Sequence, residues 1–141
     1  MTLPVAPDCA GWWPSDAFHS NEPAFPGPID ITGPPRTLLF GPYLSLAPGL
    51  WQAELRFDVC ADAARYDYRI DFGTADDFTT CVVRAPRPGA QAATLRHRLG
   101  AGALAEVRLW LGRPAFHGWL QLHGARLTRV EPSGLADDQQ E

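Results

Sequence analysis

Near the end of the chain, the segment FHGWLQLHGARLTRV carries the residue types best suited to recognition. Side chains of an extended chain alternate between two faces. His117, Trp119, Gln121 and His123 therefore share one face, while Phe116, Leu120 and Leu122 share the other and are expected in a core. An indole can cover the C–H face of a pyranose ring, and amide and imidazole groups can pair with its hydroxyls. The same row is also what a solvated sheet face looks like, and that alternative stays open.

A second alternating run, Leu50 to Cys60, puts Gln52, Glu54, Arg56 and Asp58 on one side and Trp51, Ala53, Leu55, Phe57 and Val59 on the other. If the two runs are neighbours, Glu54 and Arg56 extend the face bearing Trp119, and Arg96 and Arg98 flank it. Cross-strand ion pairs among Glu54, Arg56 and Arg96 are the plainer reading, each worth little. Asp67, Arg69 and Asp71 beside Arg108 and Trp110 make another charged face, opposite Tyr66, Tyr68, Ile70 and Phe72. Two carboxylates flanking an arginine could hold a sugar, but acid–base catalysis needs a partnered carboxylate in a cleft. Alternating charge on a solvated sheet is much the commoner source of such a pattern.

Catalytic residues are not expected. His117 and His123 lie about 20 Å apart along an extended strand, too far for a shared metal. His97 has the parity of Leu95 and Leu99, which suits a hydrogen-bonded core or edge histidine, and His19 lies among the prolines. No GxSxG surrounds a serine, and the glycines precede strands where a phosphate loop would precede a helix. Cys9, Cys60 and Cys81 lack CxxC spacing, so reduced thiols are expected, with a Cys60–Cys81 bridge open if those strands meet.

The elements that must position these groups are strands. The chain has 141 residues, enough for one domain with a core. Residues 1–36 hold eight of the 14 prolines and are expected to form an extended arm packed on the body through Trp12, Trp13, Phe18 and Phe25. Ser15 to Ala17 could open one helical turn, capped by Ser15. Strands are expected near Ile29–Thr32, Thr37–Leu46, Leu50–Cys60, Arg65–Gly73, Phe78–Ala85, Ala92–Leu99, Ala105–Gly112 and Phe116–Val130, with a bulge at Gly124. Residues 29–131 would be the sandwich domain and 132–141 a frayed polar tail. Eight strands and no convincing helix predict an all-β, eight-stranded antiparallel jelly-roll β-sandwich with an extended proline-rich N-terminal arm.

The order GPYLSLAPGLWQAELRF, then AEVRLWLG, then FHGWLQLHGARLTRV resembles the galactose-binding-like jelly rolls, which include many carbohydrate-binding modules, over roughly Ile29 to Val130. The resemblance implies a non-catalytic module that recognises a saccharide or glycoconjugate through Trp119, His117, Gln121, His123, Glu54, Arg56 and Arg96. Modules of this kind often hold a structural calcium with an acidic pair near the first strand; here the sequence departs from that pattern, with only Glu22 and Asp30, widely spaced, and Glu131 at the far end, so no cofactor is expected and a structural calcium is the open alternative. A structural or protein-interaction sandwich, working as a homodimer or beside a partner enzyme, is the alternative.

Net charge is −4, and all 12 cations are arginines without a basic block, so nucleic acid is not an expected partner. No run approaches the roughly 18 apolar residues of a membrane span, and the N-terminal sequence lacks a signal-peptide pattern. No membrane association and a cytoplasmic location are therefore expected.

Overall fold

A computed structural model describes residues 11–130. The expected tail, Cys9 and Glu131 lie outside the described residues.

Alternation decides the architecture. In β4 (Gly49–Val59), every odd residue from Trp51 to Val59 is buried and every even one is half-buried. That apolar face needs a second layer. β5 (Asp67–Thr74) supplies part of it through buried Tyr68, Ile70 and Phe72. Phe57 and Tyr68 meet edge to face across the two layers, with ring centroids 6.3 Å apart. The Tyr68 hydroxyl donates to the carbonyl of Ala63 at 2.7 Å, so a buried polar tip is satisfied. Burying each large aliphatic or aromatic side chain contributes about 1.5–3 kcal/mol.

The remaining strands are β1 (Gly11–Pro14), β2 (Ile29–Asp30), β3 (Arg36–Ser45), β6 (Asp77–Arg84), β7 (Gly89–Leu99), β8 (Leu104–Leu111) and β9 (Trp119–Arg129). One antiparallel sheet has the order β1-β9-β4-β7, with β2 also on β9, and the other has the order β3-β8-β5-β6. The molecule is thus an all-β sandwich of two antiparallel sheets in jelly-roll order. β1 and β2 both pair with β9, at Leu127 to Gly124 and at Leu120 to Trp119 respectively. Together they fill one strand position, so among the described residues nine segments occupy eight places.

Several local expectations change. The last strand starts at Trp119, not Phe116, because Ala115 bridges Gly33 and takes the buried place ahead of it. Phe116 is consequently 85% exposed and not in the core. Tyr66, expected in the core, is half-buried and accepts the Phe116 amide at 3.1 Å. Ser15–Ala17 does form a single 3-10 turn, but Ser15 provides no side-chain cap. Cys60 and Cys81 are free and half-buried, so the bridge between them is not made. His97 is hydrogen-bonded to the Thr79 hydroxyl at 2.9 Å and lies 3.2 Å from Asp77.

Within residues 11–36, Trp13 and Phe18 are buried and meet edge to face at 6.4 Å. Arg36 holds this stretch by all five of its N–H groups. Two go to Glu22, at 2.9 and 3.2 Å, and the others to the carbonyls of Asp30, Ile31 and Pro34. No helix of the described residues is long and apolar enough to cross a membrane.

Candidate functional site

β9 sits between β4 on one side and the β1/β2 pair on the other, so its outward side chains occupy the middle of a sheet face. A register shift against β4 lies between Arg56 and Phe57, opposite His123 and Gly124. Gly124 has φ +148°, in the region that favours glycine, and a Cβ there would stand 2.7 Å from Cζ2 of Trp12. The indole of Trp12 therefore lies directly over the bulge, 37% exposed, while its neighbour Trp13 points into the core.

Two hollows flank the middle of β9. In one, of about 500 Å³, Trp12, Glu54, Arg56, Gln91 and His123 line the walls. Glu54 and Arg56 pair at 2.8 Å, and the Arg56 guanidinium stands 6.0 Å from the Trp12 ring centroid. His123 Nε2 lies 3.0 Å from Asp58 Oδ2. The other hollow, of about 600 Å³, is lined by Trp119, His117, Asp30, Thr32 and Asp62 among others. Trp119 is 42% exposed, and its amide donates to the Cys60 sulfur at 3.1 Å. His117 Nδ1 lies 3.7 Å from Asp62 Oδ2. Hydrogen bonding from Thr32 holds the Asp30 carboxyl below its ordinary range. Gly118, at φ +130°, packs its backbone against Ala63, which fixes the approach of the chain to Trp119.

The residues singled out from sequence thus fall into groups. Glu54, Arg56 and His123 converge on one hollow, and His117 and Trp119 on the other. Gln121 lies between them, opposite Asp58 on β4. Arg96 lines neither hollow: it sits on β7 opposite Gln52 and donates to that amide oxygen at 2.9 Å. Trp12, Gln91, Asp62 and Thr32 were not singled out. For Trp12, the only signal in GWW is two adjacent indoles that an extended segment must send to opposite faces.

The second charged face is built differently from its sequence reading. Arg69 pairs with Trp110 and Asp71 with Arg108, as strand neighbours. Yet Asp71, expected on a solvated face, is 1% exposed. Its carboxylate accepts from the Thr80 hydroxyl at 2.7 Å, Trp110 Nε1 at 3.0 Å and Arg69 at 3.2 Å, and Arg108 lies at 3.0 Å. Burial pushes the Asp71 carboxyl up, but the Thr80 bond and Arg69 outweigh it and hold it below the usual carboxylate range. Arg69 and Arg108 stack on the rings of Trp110 and Phe78, at 4.5 and 3.9 Å. The outward side chains roof over one another, so this acid serves the scaffold.

Of the carboxylates considered for calcium, the two among the described residues are already engaged. Glu22 is engaged by Arg36, and Asp30 accepts the Thr32 amide at 3.0 Å. Among the described residues, no three His, Cys, Asp or Glu side chains are grouped to hold a metal ion.

No protein-family model matches the chain, and no curated protein matches its sequence. Among solved structures, it is similar to one titled Family 16 Carbohydrate Binding Module-2, at 13% identity and a TM-score of 0.48, covering 91% of this chain and 100% of that one.

Proposed function

We propose that this protein is a non-catalytic saccharide-binding module, and that its ligand is an extended oligosaccharide lying along the outward face of β9. The observation that carries the reading is the placement of two part-exposed indoles, Trp119 and Trp12, on one sheet face. Trp119 stands five positions before Gly124, beneath Trp12, and with one residue taken up by the bulge the run is about 13 Å by strand rise. That spacing suits a chain of several sugar rings better than a single one.

Between the indoles stand Gln121, His123, Asp58, Arg56 and Glu54, a mixture of donors and acceptors of the kind that orients hydroxyls. Glu54 and Asp58 are each tied to a basic neighbour, at 2.8 and 3.0 Å, which suits fixed recognition groups. His117, Asp62 and Thr32 would serve the ring stacked on Trp119, and Gln91 the ring near Trp12. Arg96 lies outside this path. Screening against neutral and acidic oligosaccharides tests the reading: binding that Trp119→Ala weakens supports it, and silence across a broad panel of linear and branched glycans overturns it.

A further inference from the structure

The four sheet edges are not alike. β1 is four residues long and ends in Pro14. Along β3, Phe40 exchanges both backbone bonds with His19, Pro42 cannot donate, and two register shifts break the ladder. β7 carries Arg96, His97 and Arg98 near one end, and the Gln91 side chain folds back on the carbonyls of Arg87 and Gly89 near the other. Each of these devices discourages pairing with another chain.

β6 has fewer of them: its charges, Asp77 and Arg84, stand only at its two ends. Its sequence, DFTTCVVR, contains no proline, glycine or lysine, and its interior residues are β-branched, aromatic or Cys. Its register with β5 runs from Asp67↔Arg84 to Thr74↔Asp77 without a shift. Among the described residues it pairs only with β5, leaving its other edge unpaired. Val82, on its outward face, is 68% exposed.

We propose that β6 pairs antiparallel with β6 of a second copy of this chain, making one continuous eight-stranded sheet across a two-fold axis. The edge is self-complementary in charge. Asp76 stands just before its start and Arg84, which also holds Asp67 at 2.6 Å, at its end, so in the register that sets Phe78 opposite Val82 an antiparallel partner brings Asp76 to Arg84 at both ends. A parallel arrangement would stack like charges. Parity restricts the register further, because opposed residues must share a face. Phe78 then meets Val82 or Arg84 of the second copy, an apolar or cation–π pair in either case. The contact is isologous, as two-fold symmetry requires, and closes without leaving the edge open for further addition. This pairing is separate from saccharide recognition, since β6 and β9 belong to different sheets.

Sedimentation velocity and light scattering of the whole chain over a range of concentrations test it. The expected mass is twice 15.4 kDa, falling to 15.4 kDa for both Val82→Lys and Val82→Glu. Thr94→Lys, on the outward face of β7, leaves the dimer intact. Should the Val82 variants fold poorly, hydrogen exchange of the unaltered chain decides the matter: every other amide of β6 gains protection as concentration rises. A monomer at every concentration, or a dimer whose β6 amides exchange independently of concentration, overturns the proposal.

Discussion

Trp12 and Gly124 are locked together: the indole Cζ2 stands 2.7 Å from where a Cβ on Gly124 would be, and the backbone there has φ +148°. The bulge in β9 and the position of an exposed indole are thus one feature. Gly124→Ala is expected to cost about 2 kcal/mol or more, from backbone strain, a still closer clash with the Trp13 carbonyl oxygen, and displacement of the ring. Chemical denaturation measures the loss, and a shift in tryptophan emission reports the displaced ring. An unchanged midpoint and spectrum would contradict the linkage.

Removing the Asp71 carboxylate leaves Arg69 and Arg108 facing a buried gap. Loss of one partner from a buried pair costs about 3–5 kcal/mol, and because both guanidiniums keep some solvent contact, Asp71→Ala is expected near the bottom of that range or below, at roughly 2–3 kcal/mol. Urea titration at neutral pH measures it.

The same carboxylate sets an acid limb. Its folded-state pKa is held below the unfolded value of about 3.9, so its contribution is present above that value and lost as pH falls through the depressed one. A fit of stability against pH should therefore show a decline below about pH 4 that is shallower in Asp71→Asn. Identical slopes in both proteins would show that Asp71 does not titrate differently on folding.

Arg36 closes the stretch from Glu22 to Pro34 through a planar fork, which an ammonium cannot copy. Arg36→Lys is expected to destabilise by about 1–3 kcal/mol, through carbonyls and a carboxylate left short of donors. Faster hydrogen exchange confined to residues 18–36 would mark the local origin of that loss, whereas uniform exchange across the sandwich would not.

Period-two alternation made the frame legible, because a strand buried on one face must alternate; β4 shows this from Trp51 to Val59, and its neighbour β9 from Trp119 to His123. What alternation cannot register is cover supplied from the same face. Asp71 has outward parity and is nonetheless buried, under Trp110, Arg108 and Thr80 from neighbouring strands and Arg69 from its own. Phe116 was misplaced because the pattern FHGWLQL continues backwards through a loop, where Ala115 had already taken the inward place. Trp12, expected to pack the arm on the body, is 37% exposed; its outward place is hidden in the sequence because β1 is only four residues long, too short for periodicity to stand out among the surrounding prolines.

The central claim is that two indoles and the polar groups between them form one path along β9. Calorimetric titration with a length series of a linear oligosaccharide that the chain binds tests it most directly. Affinity should rise with ligand length until both indoles are covered, and Trp119→Ala and Trp12→Ala should each weaken the longest ligand by about tenfold, or roughly 1.4 kcal/mol, in protein that remains folded. Affinity that is the same for one sugar ring as for several, or that survives both substitutions, would contradict it.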